Sequence, residues 1–149
     1  MDGSGNILVI DDNLRRLYKF DSNGNFITTL VQDLGYTGMR DISLDGSGNI
    51  YLIDSGVLGN QVRKFDSSGN FITKWGTKGS GDGEFWSPAG IAIDGSGYVY
   101  VSDYNNNRYR SSLWGNKVWS GGRDSNSRHS AWKADALPAE LPPLNSILL

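Results

Sequence analysis

The sequence predicts an all-β fold assembled from repeated four-stranded units, and three observations predict it. The phrase Asp2-Gly-Ser-Gly-Asn-Ile7 returns unchanged as Asp45-Gly-Ser-Gly-Asn-Ile50, and again as Asp94-Gly-Ser-Gly-Tyr-Val99. A second phrase, Phe20-Asp-Ser-Asn-Gly-Asn-Phe-Ile-Thr28, returns as Phe65-Asp-Ser-Ser-Gly-Asn-Phe-Ile-Thr73 with one change. Third, Asn49-Ile-Tyr-Leu-Ile-Asp54 is a short, nearly unbroken apolar run bounded by turn residues, the pattern of a strand buried on both faces. From Asp2 to Asp45, Asp45 to Asp94 and Phe20 to Phe65 the spacings are 43, 49 and 45 residues. That period fits one four-stranded blade of a β-propeller.

Each repeat divides into four short strands. Residues 40–45 and 89–94 form a first strand. Asn49–Asp54 is the second, matched by Asn6–Asp11 and Tyr98–Asp103. Gln61–Asp66 is the third, matched by Arg16–Asp21; it mixes Arg and Lys with Leu17, Val62, Phe20 and Phe65, as an outer, half-wet strand should. Asn70–Trp75 is the fourth, matched by Asn25–Leu30. Asp-Gly-Ser-Gly and Asp-Ser-Asn/Ser-Gly supply residues that tolerate positive φ and side chains that bond their own backbone, so both are hairpin turns. A calcium loop wants alternating ligands and a distal Glu; Asp21-Ser-Asn-Gly-Asn25 puts Gly where a third ligand belongs, and no Glu follows.

The composition excludes several classes. Cysteine is absent, which removes disulfide frameworks and thiolate metal sites. No stretch approaches the roughly 20 apolar residues of a membrane-spanning helix, and Met1-Asp-Gly-Ser-Gly5 has neither the basic nor the apolar region of a signal peptide. Net charge is −2 overall, but residues 1–105 hold 8 Lys/Arg against 13 Asp/Glu, whereas residues 106–149 hold 6 against 3. The two parts differ in kind.

These phrases resemble the NHL repeat family of six-bladed-type β-propellers, with a TolB-like architecture. Pro88-Ala-Gly-Ile-Ala-Ile-Asp94, Gly48-Asn-Ile-Tyr-Leu-Ile-Asp54, Val62-Arg-Lys-Phe65 and Gly69-Asn-Phe-Ile-Thr-Lys-Trp-Gly76 match the family's blade in order and spacing. Gly79-Ser-Gly-Asp-Gly-Glu-Phe-Trp-Ser-Pro88 resembles the loop that joins one family blade to the next. The resemblance covers about residues 2–108, and YVTN-like and lactonase-like propellers share the architecture. The expected organisation is a propeller region 1–108, with a partial first blade at 2–30, a second blade at 39–76 and a partial third at 88–108. The chain is expected to begin inside a blade. After Asn105-Asn-Asn-Arg108 the family pattern stops, and the tail 109–149 is expected to be disordered or the product of a shifted reading frame.

Antiparallel strands sort the loops by face. Both invariant turns fall at one end of the blades, and the variable loops 31–39, 55–60, 76–89 and 104–107 fall at the other, where recognition is usually placed. The candidate binding residues there are Gln32, Asp33, Tyr36, Asn60, Lys78, Asp82, Glu84, Phe85, Trp86, Tyr104 and Asn105. Against that reading, Phe85, Trp86 and Tyr104 are expected to pack between blades, and Tyr104 and Arg108 stand where the family places structural residues.

These residues bear on three functions. The resemblance implies a non-enzymatic scaffold that binds a protein or peptide partner, as a module of larger proteins, with a secreted or cell-surface setting. Propeller lyases and lactonases instead gather His and acidic ligands around a central channel; here one histidine, His129, lies in the divergent tail, so no catalytic residue, metal or cofactor is expected. Asp54, Asp94 and Asp103 close strands repeatedly and read as turn or backbone-bonding residues. RNA binding needs a positive face, but Arg15, Arg16, Arg40, Arg63 and Lys64 are interleaved with Asp, so no nucleic acid partner is expected. Uncovered apolar blade faces are association liabilities, and the purified chain is expected to self-associate or dissolve poorly.

Overall fold

The repeated aspartate builds its own turn. In 45–49 the Asp45 carboxylate accepts hydrogen bonds from the backbone N–H of Ser47 at 3.0 Å and of Asn49 at 2.9 Å, and from the Asn49 amide at 2.8 Å. Gly48 donates its N–H back to the Asp45 carbonyl and adopts φ 80°, a value only glycine reaches cheaply. The same arrangement recurs at Asp2, Asp21 and Asp66. At Asp94, Tyr98 replaces the asparagine and the freed carboxylate oxygen takes the Tyr100 hydroxyl at 2.9 Å.

The computed structural model describes residues 1–35, 38–113 and 116–123, from residue 110 onward as backbone alone. Three turn-linked sheets follow one another along the chain. The first comprises β1 (Ile7–Asp11), β2 (Arg16–Phe20) and β3 (Phe26–Val31) in that order. The second is β4 (Met39–Leu44), β5 (Ile50–Asp54), β6 (Gln61–Phe65) and β7 (Phe71–Trp75). Between it and the third, β8 (Thr77–Lys78) and β9 (Glu84–Phe85) form a short parallel pair. The third sheet is β10 (Pro88–Ile93), β11 (Tyr98–Asp103), β12 (Arg108–Leu113) and β13 (Asn116–Arg123), with a single 3-10 turn at Tyr104–Asn106. All pairings within these three sheets are antiparallel, and the predicted strands fall within about a residue of the observed ones.

The second strand of the second blade is buried along its whole length, as its apolar run predicts. Its alternate side chains serve two cores. Ile50 and Leu52 join Phe65, Leu17 and Leu34, with Leu8 and Ile10 of the first blade packed alongside. Tyr51 and Ile53 join Val62, Phe85, Ile91, Val99 and Val101 against the third blade. The cores therefore lie between successive sheets, which is the stacking of propeller blades.

Two expectations are corrected. The third strand of the second blade is not half-wet: Val62, Lys64 and Phe65 are all buried. Lys64 is tolerated there because its ammonium lies 3.7 Å from the Asp45 carboxylate and 4.8 Å from the centre of the Tyr51 ring. The third sheet also runs past the expected boundary at residue 108, since β12 and β13 carry it to Arg123. A strand ladder is made by the backbone, so loss of the repeat's side-chain pattern does not by itself end it. Residues 124–149, including His129, lie outside the described residues, as do residues 36–37 and 114–115.

The first sheet has three strands where the others have four. Among the described residues, β1 pairs only with β2, so its other edge is uncovered. Beside it Met1, Ile7 and Leu8 face Ile42, Ser43 and Leu44 across a notch of about 310 Å³.

Candidate binding face

The loops at the end of the blades opposite the aspartate turns are pinned by the strand ends beneath them. Each second strand finishes in an aspartate whose carboxylate holds the following loop. Asp11 accepts from the Leu14 N–H at 2.8 Å, and Asp54 from the Gln61 amide at 2.9 Å. The wholly buried Asp103 accepts from the Trp86 N–H at 2.7 Å, the Asn106 amide at 2.8 Å and the Arg108 Nε at 2.9 Å. The residue just before each third strand is left-handed: Arg15 at φ 57°, Asn60 at 62° and Asn107 at 48°. Asparagine suits this conformation because its short side chain bonds locally, and arginine does not.

The loops are also joined across blades. Asp12 accepts from the Gly38 and Met39 N–H groups at 2.6 and 2.9 Å. Ser87 donates to the Asn60 side chain at 2.8 Å, while within the second and third blades Ser55 donates its N–H to the Gly38 carbonyl and Asn105 donates to the Trp86 carbonyl at 3.0 Å. Arg108 clamps the Gly-rich loop by donating to the carbonyls of Ser80 at 2.5 Å and Glu84 at 3.2 Å. The face is thus one hydrogen-bonded surface rather than a set of independent loops.

Of the sequence-predicted residues, Gln32, Asp33, Lys78, Asp82 and Asn105 are exposed on this face. The Asp33 carboxylate accepts from the Gly35 N–H at 2.8 Å and stands 3.8 Å from Arg15. Glu84 is half-buried and turned back onto its own loop, where it accepts from the Gly81 N–H at 2.8 Å. Tyr36 lies outside the described residues. Two candidates do not reach the surface. Asn60 is buried because its left-handed backbone and its bond to Ser87 hold it between blades, and Phe85 is buried in the core between the second and third blades. Trp86 and Tyr104, expected to pack inward, are instead exposed, at 46% and 72%.

Sequence reasoning missed Leu14, Val57 and Leu58, which stand exposed on the same face; Val57 is 95% exposed. Their signal is bulky apolar residues inside segments otherwise made of Asn, Gly, Ser and Asp, where no strand can bury them. The face thus carries Leu14, Val57, Leu58, Trp86 and Tyr104 on a pinned backbone. The other end of the blades is different in character. Its carboxylates are consumed by their own turns, and those of Asp2, Asp21, Asp45, Asp66 and Asp94 are all held below the usual carboxylate range. Bonds from Lys19 and then Asn6 do this for Asp2, and from Asn25 and Asn70 for Asp21 and Asp66. At Asp45 and Asp94 burial opposes the shift and the turn bonds outweigh it.

Among the described residues no three His, Cys, Asp or Glu side chains gather as a metal site. No helix among them is long and apolar enough to cross a membrane.

The sheets, their order and the cores between them define an all-β chain that forms part of a β-propeller. The family DUF5128, described as a 6-bladed beta-propeller, matches residues 45–109. The chain is similar in structure to a streptogramin B lyase, at 15% identity and a TM-score of 0.63, covering 83% of this chain and 39% of that one. It is likewise similar to a virginiamycin B lyase from Staphylococcus aureus, at 12% identity and a TM-score of 0.63, covering 85% and 40%. A functionally unknown protein from Desulfotomaculum acetoxidans matches at 15% identity and a TM-score of 0.56, over 85% and 39%. Likeness at these identities is likeness of fold, and the chain spans about two fifths of the structures it matches. No curated protein matches the sequence.

Proposed function

We propose that this chain is a non-enzymatic propeller module, of NHL type, that binds a protein or peptide partner through its loop face. The observation that carries the reading is the set Leu14, Val57, Leu58, Trp86 and Tyr104, exposed on loops that hydrogen bonds hold in place. Exposed apolar groups on a monomeric surface mark interaction sites when they cluster on one face, and aromatic anchors on a rigid backbone bind at low entropic cost. The buried carboxylates near this face favour a binding role over catalysis, because Asp54 and Asp103 are taken up by structural donors. Basic groups do not collect either: Lys19 pairs with Asp2 at 2.8 Å and Arg108 with Asp103 at 2.9 Å, which speaks against a phosphate-binding surface.

The test is a peptide-display selection against the purified chain, with a loop-face variant, Val57→Ser/Leu58→Ser/Trp86→Ala, as counter-target. Peptides selected on the parent should bind the variant at least about tenfold more weakly, the loss of roughly one apolar anchor. An Ile27→Ser/Ile72→Ser variant of the outer strands should leave them unaffected. Peptides that bind parent and loop-face variant equally would sink this reading.

A further inference from the structure

The turns at 21–25 and 66–70 are built alike, but the residue before the glycine is Asn23 in one and Ser68 in the other. Asn23 with Gly24 is the sequence's one Asn–Gly pair. The turn leaves its side chain open to reaction. The carboxamides of Asn6, Asn25, Asn49 and Asn70 each donate to a turn aspartate at 2.8 to 2.9 Å, and each of these asparagines precedes Ile or Phe, whose bulk crowds the next backbone nitrogen. The Asn23 carboxamide is exposed and makes no such bond, and the residue after it has no Cβ. Asn13, Asn105 and Asn107 are exposed as well, but Leu14, Asn106 and Arg108 follow them. The exposure belongs to the turn rather than to what packs beside the blade, since Ser68 is exposed although the second blade is packed on both faces.

We propose that Asn23 and Gly24 form a site of spontaneous backbone modification, at which the asparagine becomes aspartate and isoaspartate. Asparagine is the thermolabile partner in such a pair. The Gly24 nitrogen gives its proton to solvent base and attacks the Asn23 Cγ. The new N–Cγ bond closes a five-membered succinimide; the Cγ–Nδ2 bond breaks, and ammonia leaves with a proton from water. Water then adds to one of the two ring carbonyls. Opening at Cγ restores the ordinary backbone with aspartate at 23. Opening at the backbone carbonyl leaves Gly24 joined through Cγ, which is isoaspartate. In both, one water is taken up, one ammonia is released and a carboxylate is gained.

The turn sets the rate. The Gly24 N–H donates to the Asp21 carbonyl at 3.1 Å and must leave it before the ring can close. The Asp21 carboxylate resists that opening through its bonds to Asn23 and Asn25. Isoaspartate lengthens the main chain by one carbon inside this turn, beside Asp21. Strand pairing resumes at Phe20 and Phe26, whose rings meet edge to face at 5.9 Å, so the product loosens the join between β2 and β3. The turn lies at the end of the blades opposite the loop face, and the modification is independent of what binds there.

Incubation of the purified full chain in mildly alkaline buffer, followed by peptide mass analysis, tests it. The peptide holding Asn23 should gain about 1 Da. It should resolve into two forms of equal mass, one of which accepts a methyl group from S-adenosylmethionine through an isoaspartate methyltransferase. Asn23→Ser, which installs the residue of the second blade, should abolish the gain. Asn25→Ala removes bonds that close the turn and should speed conversion about threefold to tenfold. Asn70→Ala, the same change in the other turn, should leave the rate as it is, and circular dichroism checks that each variant keeps its strands. An Asn23 peptide that converts no faster than the Asn13 peptide, a gain in mass without isoaspartate, or equal rates in Asn25→Ala and Asn70→Ala would each overturn the proposal.

Discussion

The carboxylate of Asp41 on β4 accepts a hydrogen bond from the backbone N–H of Ile91 on β10 at 2.9 Å, so the inner strands of the second and third blades are joined by a side chain. The two residues stand fifty positions apart in the chain. Because Ile91 is buried in the core between those blades, its N–H has no ready replacement partner. Asp41→Ala should therefore cost about 1–3 kcal/mol, the usual penalty for an orphaned buried donor. Urea unfolding followed by tryptophan fluorescence measures it, and Asp41→Asn should recover part of the loss.

Asn60 combines two roles that substitution separates. Its backbone is left-handed and its side chain accepts from Ser87. Asn60→Gly keeps the first and loses the second, while Asn60→Ala loses both. Alanine should be the worse by about 1–2 kcal/mol, the strain of a Cβ in this conformation. Arg15 occupies the matching position of the first blade, so Arg15→Asn should leave stability unchanged or raise it by a few tenths of a kcal/mol, even though it gives up the exposed bond to the Gly35 carbonyl.

Glycines of the same turn should respond differently in different blades. A Cβ on Gly69 would lie 2.2 Å from the Leu30 carbonyl oxygen of the first blade, whereas one on Gly24 meets nothing within 4 Å. Both have positive φ, so each pays the strain of the left-handed region. Gly69→Ala should lose more stability than Gly24→Ala by at least about 1 kcal/mol, since it also pushes two blades apart. Thermal unfolding of the two variants side by side gives the comparison.

Acid should unfold the chain through its turns. The carboxyls of Asp2, Asp21, Asp45, Asp66 and Asp94 are more acidic folded than unfolded. A depressed folded value contributes stability above the unfolded value, near 3.9, and that contribution disappears as pH falls through the folded value. Stability should thus be flat near neutrality and decline below about pH 5. Asn25→Ala and Asn70→Ala remove the leading cause at Asp21 and Asp66, so the double variant should show a smaller difference in urea midpoint between pH 7 and pH 3 than the parent.

The repeats, the turn chemistry and the strand order were legible in the residues because they are local. Asp, Gly and Asn at fixed offsets make a turn whatever surrounds them, and Ile50–Asp54 reads as a doubly buried strand from its own run of apolar side chains. The candidate face was legible as a set of loops but not residue by residue. A tryptophan or phenylalanine in a loop carries no local mark of which way it points, and Phe85 turned inward while its neighbour Trp86 turned out. Leu14, Val57 and Leu58 carry no local mark of exposure either, because apolar side chains ordinarily belong to a core.

The residues alone specify the unit: a four-stranded antiparallel blade, its turns and the period at which it recurs. Which side chains of that unit are covered depends on how the units stack. Tyr51 and Tyr100 hold the same place in the repeat and make the same bond to a turn aspartate, yet one is buried and the other open. Burial is a property of what stacks against a surface, and stacking is settled between blades rather than within one.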